Sequence, residues 1–83
     1  MAGKIKIEVR LFANLREMFP QESRGVKEFQ IPADFSIDQL VDLIGDIDRS
    51  TVIIMQNGRR EKDFGKKIKD GDRIAFFPPV GGG

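Results

Sequence analysis

Residues 4–11, KIKIEVRL, alternate without exception between apolar and charged side chains, with Ile5, Ile7, Val9 and Leu11 on one side and Lys4, Lys6, Glu8 and Arg10 on the other. Successive side chains of a strand point to opposite faces, so this stretch reads as a strand with one buried face and one wet face. Such a strand cannot stand alone, because its apolar side needs a cover and its backbone needs partners. Near the other end of the chain, residues 73–77 repeat the pattern, with Ile74 and Phe76 facing one way and Ala75 and Phe77 the other. The chain has 83 residues, and a domain of that size buries only about 60% of its unfolded surface, too little for two cores. The two best-patterned strands are therefore expected side by side at the centre of one sheet.

The segments between them supply the cover. Ser36 precedes Ile37, Leu40, Val41 and Ile44, a spacing of i, i+3, i+4, i+7 that gives a helix capped by Ser36 with one apolar stripe. Gly45 is placed to close it in the left-handed conformation. Upstream, NLREMFP offers a short helix with Asn14 as cap and Glu17 at the capping-box position, stopped by Pro20, with Leu15, Met18 and Phe19 packing it down. Residues 26–31 form a second, less regular strand. Residues 51–56, TVIIMQ, read as a third strand buried on both faces. The pair Asn57-Gly58 favours a type I′ hairpin, folding residues 59–61 back as a short fourth strand, and KDGD at 69–72 turns the chain into the last one. Strand, strand, helix, strand, short strand, strand describes an α+β domain, a mixed sheet with one main helix packed on one face; the order fits a β-grasp, the ubiquitin-like fold, over residues 1–77.

Composition removes several kinds of chemistry. With no Cys and no His, disulfides, thiolates, imidazole bases and the usual zinc sets are excluded. Fourteen Lys plus Arg stand against thirteen Asp plus Glu, a formal net charge of +1, so no bulk field draws the chain to nucleic acid or membrane. Neither an h-region nor an apolar run of about 18 residues is present, and the expected location is cytoplasmic.

The tail, residues 78–83, is PPVGGG. Pro78 and Pro79 lack N–H donors, so the last strand stops and a stiff extended spacer begins. Val80, Gly81, Gly82 and Gly83 follow, and six residues reach at most ~20 Å at about 3.3 Å each. Glycines let an enzyme's backbone approach from every side, so the thread suits insertion into a partner's active site. Its reactive group is the Gly83 carboxylate, which becomes an electrophile only when activated as an acyl adenylate or a similar anhydride. Read this way, the domain is a carried substrate and the partner is the catalyst. The bland alternative is an idle end, or the remnant of a tag.

RLFANLRE at 10–17, NGR at 57–59 and KDGDRIAFFPPVGGG at 69–83 together resemble the small subunits of molybdopterin synthase, within the wider family of ubiquitin-like sulfur carriers that includes the thiamine carrier. The resemblance implies a Gly83 carboxylate adenylated with ATP by a ubiquitin-activating-type adenylyltransferase and converted, with a sulfur donor system, to a thiocarboxylate. It further implies insertion into the large catalytic subunit of molybdopterin synthase and sulfur donation to cyclic pyranopterin monophosphate, building the dithiolene. The carrier is then a non-catalytic subunit with no bound cofactor or metal and no nucleic acid or membrane partner. By position, Gly82 and Gly83 match the family's terminal pair, and Phe12 and Phe77 match apolar positions of its partner-binding face. Arg59 and Arg60 stand where some members present an apolar contact, and a basic edge there asks for an acidic partner surface. Gly81 replaces the Ser, Thr or Ala common before the terminal pair, and GDIDRS at 45–50 is shorter than in many small subunits of molybdopterin synthase and nearer in size to the thiamine carrier and the small archaeal modifiers. Sulfur delivery to thiamine or another pathway, isopeptide modification of lysines through Gly83, and a β-grasp binding module whose tail is never activated are the competing readings.

Three surface features remain. Phe12 and Phe77 each follow an inward residue, so both are expected to face away from the helix as part of an interface, unless a loop covers them. Asp38, Asp42 and Asp46, spaced by four, form either an acidic docking strip or a solvated helix face. Arg59, Arg60, Lys62, Lys66, Lys67, Lys69 and Arg73 either steer an acidic partner or discourage edge-to-edge aggregation.

Overall fold

The computed structural model describes residues 3–79. Strand β1 is Lys4–Leu11 and β2 is Val26–Pro32; helix α1 is Ile37–Ile44; β3 is Ile53–Gln56, β4 Arg59–Glu61 and β5 Arg73–Phe77. The sheet order is β2-β1-β5-β3-β4. β1 and β5 are parallel neighbours at its centre, Glu8 opposite Arg73 and Leu11 opposite Phe76, while every other pairing is antiparallel. This is the expected mixed sheet, and the expected central pair.

One face is closed by α1, which buries Ile37, Leu40 and Val41. Against them lie Ile7, Val9 and Leu11 of β1, Ile31 of β2, Ile54 of β3, and Ile74 and Phe76 of β5, all at most 2% exposed. Ser36 caps the helix as expected and completes a capping box: its hydroxyl accepts from the Gln39 N–H, and the Gln39 side chain accepts from the Ser36 N–H. Residues 64–68 cross the helix N-terminus, where the N–H groups of Ile37 and Asp38 donate to the carbonyls of Lys66 and Phe64. Ile68 is buried there at 1%.

Four local expectations are corrected. The segment after β1 is a 3₁₀ helix, Ala13–Met18, without a side-chain cap, followed by a second 3₁₀ turn at Gln21–Ser23. Ala13 takes a left-handed φ of 52°, so the chain reverses one residue before Asn14 and removes it from the capping position. Leu15, Met18 and Phe19 nevertheless pack onto the core. Gly45 ends α1 at φ 137°, ψ −141°, an extended, glycine-favoured conformation rather than the left-handed helical one; it lets the chain run on and insert Ile47 into the core. β3 starts at Ile53, because the N–H groups of Thr51 and Val52 are taken by the Asp48 carbonyl, and only Ile54 within it is buried. Finally, α1 ends before Asp46, and Arg49 bonds both Asp38 and Asp42, so the acidic strip is short and partly neutralised.

Candidate functional site at the root of the tail

The site is the end of β5 together with the sheet face that α1 leaves open. Phe12 continues β1 past Leu11, and its N–H donates to the Phe76 carbonyl at 3.1 Å, tying the first strand to the strand that carries the tail. The rings of Phe12 and Phe77 stack, with centroids 4.3 Å apart and planes 7° from parallel. Phe12 is 37% exposed and Phe77 half-buried. The two sequence-predicted aromatics therefore form one exposed unit at the root of the tail, and no loop covers Phe12. Pro78 is half-buried beside them and Pro79 is exposed. Val80, Gly81, Gly82 and Gly83 lie outside the described residues.

Strand register extends the patch. Phe77 sits opposite Ile53, Ala75 opposite both Met55 and Arg10, and Arg10 opposite Val26. Directly opposed residues share a face, so Phe12, Phe77, Ile53, Met55, Ala75 and Val26 make an apolar band across the open face. Apolar side chains gathered on an uncovered sheet face make it the candidate interaction surface. Sequence reasoning missed Ile53, Met55 and Val26 as members of it. No period singled out Ile54 as the inward residue; the available signal was that a single helix covers only one sheet face, so half of this apolar run had to lie on the other.

The two arginines part company. Arg60 is paired with Met55 and flanks the apolar band, whereas Arg59 is paired with Gln56 and lies on the helix side of the sheet. At the far end of the band, Glu8 bonds Arg10 and lies 3.4 Å from Arg73, so the central cations of this face are matched. These are exposed pairs of small energetic weight, but they fix which way the side chains lean.

Beneath the turn that starts β5 lies a carboxylate that sequence reasoning read only as part of the KDGD turn. Asp72 is 8% exposed and accepts from the Gln56 side chain, the Asn57 side chain and the Lys69 N–H, each at 2.8 Å. Burial pushes its pKa up, but the donors from Asn57, Lys69 and Gln56 outweigh it and hold the carboxyl below its ordinary 3.8. Asn57, at φ 54°, and Gly58, at φ 83°, form the expected left-handed turn pair. Asp72 thus locks the β3–β4 hairpin to the start of β5. Among the described residues, no cluster of acidic side chains is arranged to hold a metal ion, and no helix is long and apolar enough to cross a membrane.

A model of the ThiS family matches residues 9–83. The molybdopterin synthase sulfur carrier subunit of Anopheles gambiae is 30% identical over 87 residues, covering 95% of this chain and 93% of that one. Among solved structures, a chain in the complex of subunits 1 and 2 of molybdopterin-converting factor from Helicobacter pylori is 25% identical, with a TM-score of 0.61 over 95% of this chain and 100% of that chain. SAMP1 from Haloferax volcanii shares the fold at a TM-score of 0.74 and 24% identity, over 94% of this chain and 99% of that chain.

Proposed function

Because the chain belongs to the ThiS family, we propose that it is a sulfur carrier of the molybdopterin synthase small-subunit type, a non-catalytic co-substrate whose reactive group is the Gly83 carboxylate. The observation that carries this reading is the extent of the family match: it runs to residue 83, taking in β5, the two prolines and the terminal glycines as one unit.

The chemistry follows from the tail. A Gly83 carboxylate oxygen attacks the α-phosphorus of ATP in a ubiquitin-activating-type adenylyltransferase, pyrophosphate leaves, and the acyl adenylate makes the glycyl carbonyl an electrophile. Hydrosulfide delivered by the donor system then attacks that uncrowded carbonyl, the C–O bond to AMP breaks, AMP departs with that oxygen, and a thiocarboxylate results. In the large catalytic subunit its sulfur passes to cyclic pyranopterin monophosphate, and water restores the carboxylate. The chain has no His and no Cys, so proton transfer and sulfur handling fall to the partners. What this domain contributes is the band around Phe12 and Phe77, which seats a partner so that the tail enters its site. The Helicobacter structure, a complex of subunits 1 and 2, supports a pairing of this kind.

The test is the intact mass of the protein from its native cells, taken before reduction or alkylation. A rise by the difference between a sulfur and an oxygen atom, confined to Gly83, is expected. A plain carboxylate even after incubation with ATP, sulfur donor and the native activating enzyme overturns the carrier reading; adducts joining Gly83 to lysine side chains replace it with that of a protein modifier.

A further inference from the structure

The cations of the chain's second half converge on a groove at the β4 edge of the sheet, away from the root of the tail. Residues 66–69 run beside β4, held by Ile37 N–H to the Lys66 carbonyl, Ile68 N–H to the Phe35 carbonyl and Lys69 N–H to Asp72. Between them and the β3–β4 hairpin lies an open cleft of ≈ 480 Å³ lined by Arg59, Arg60, Lys66, Lys67 and Lys69. Its two carboxylates are already engaged. Glu61 pairs with Lys66 at 3.2 Å and accepts from the Asp63 N–H, and Asp72 holds its three donors. Among the described residues, Arg59, Arg60, Lys67 and Lys69 make no salt bridge. In a chain of net charge +1 this is a local concentration of unmatched positive charge.

The backbone adds a second feature. β4 is the edge of the sheet. In a two-residue hairpin the closing pair, here Gln56 and Arg59, exchanges both hydrogen bonds, and the next pair, Met55 and Arg60, does not. The Arg60 N–H and carbonyl therefore point outward, as the start of a ladder that an extended chain can join. We propose that this groove docks an extended acidic segment of a partner protein. Its carboxylates would meet Arg59, Lys67 and Lys69 while its backbone meets Arg60. No aromatic side chain lines the cleft to stack a base, and the outward Arg60 N–H and carbonyl match the donors and acceptors of a peptide backbone, which distinguishes a peptide from a nucleic acid. The Asn57 end of the groove adjoins the start of β5, where Asn57 N–H donates to the Arg73 carbonyl, whereas the tail leaves from its end. A segment bound here tethers the domain without blocking the tail.

The experiment titrates the full chain with fluorescein-labelled octaglutamate, and with octaglutamine as control, by fluorescence anisotropy and amide chemical-shift mapping. Binding of octaglutamate alone is expected, with shifts confined to residues 59–61 and 66–69 and weakening as salt rises. The double variant Arg59→Glu/Lys67→Glu is expected to weaken it about tenfold. Lys4→Glu/Arg24→Glu, an equal change of net charge outside the groove, leaves it unchanged. Should the reversed variant melt early, Arg59→Gln/Lys67→Gln is expected to give a smaller loss in the same direction. Absence of binding at low salt, equal loss in the remote variant, or shifts that map elsewhere overturns the proposal. Tighter binding of single-stranded oligothymidylate in the same groove also overturns it, in favour of a nucleic-acid site.

Discussion

Asp72 does at the level of one side chain what no local pattern announces. It stands in the KDGD turn, where the sequence foretells a reversal, but two of its donors, Gln56 and Asn57, are 16 and 15 residues away. Such a partnership becomes visible only once β3 and β5 are adjacent. Asp72→Asn keeps the shape but sets an amide donor against these donors, and the expected cost is about 1–3 kcal/mol in urea unfolding near neutral pH. The pH dependence has a definite sign. A carboxyl whose folded pKa lies below its unfolded value adds stability above the unfolded value and loses it as pH falls through the folded one. The gap between wild type and Asp72→Asn is therefore expected to narrow as pH drops below 3.8. A gap constant down to acid would mean that the charge contributes nothing and only packing was disturbed.

Elements with an unbroken period were the legible ones. β1, β5 and α1 follow from alternation or an i, i+3, i+4 stripe, and Ser36 caps where its spacing says it should. β3 misled because Val52, Ile53, Ile54 and Met55 form an apolar run with no period, which reads as buried on both faces although only Ile54 is fully covered. The residues that spoiled that reading are the ones that build the apolar band, so the error and the site have one cause. The short helix after β1 was placed correctly, but its 3₁₀ form and its start were not, because a positive φ at Ala13 answers to tertiary packing, not to local propensity. Phe77 tests whether the band serves binding or folding. Half-buried and stacked on Phe12, it is expected on Phe77→Ala to cost about 1 kcal/mol of stability. Affinity for the large subunit should fall by about 2 kcal/mol or more, as for a buried aromatic anchor. Calorimetric titration beside thermal melts separates the two; a loss of stability larger than the loss of affinity would assign Phe77 to the fold.

At the scale of the whole molecule, the proposed function divides the labour between a domain that positions and a thread that reacts. The buried hydrophobic core among the described residues ends at Phe76, one residue before β5 does; on the proposed reading, the reach of Gly83 into a partner would be set by where β5 stops and by the number of residues beyond it. That β5 stops before the prolines was legible from strand and Pro-Pro in succession, whereas the candidate surface on the open sheet face needed the sheet order. Deleting Gly81 shortens the thread by about 3.3 Å and leaves Phe12, Phe77 and the rest of the band untouched. Thermal stability and affinity for the partners should then stay close to wild type. Sulfur transfer should collapse, because a misplacement of only about 1 Å at a reacting centre can cost about a hundredfold in rate. Single-turnover transfer from the loaded variant, measured beside its binding constant, distinguishes length from contact. A slow rate at full affinity supports a tail of fixed reach. An unchanged rate would mean that the partner draws the thread in regardless of length, and that Phe77 does not mark where insertion begins.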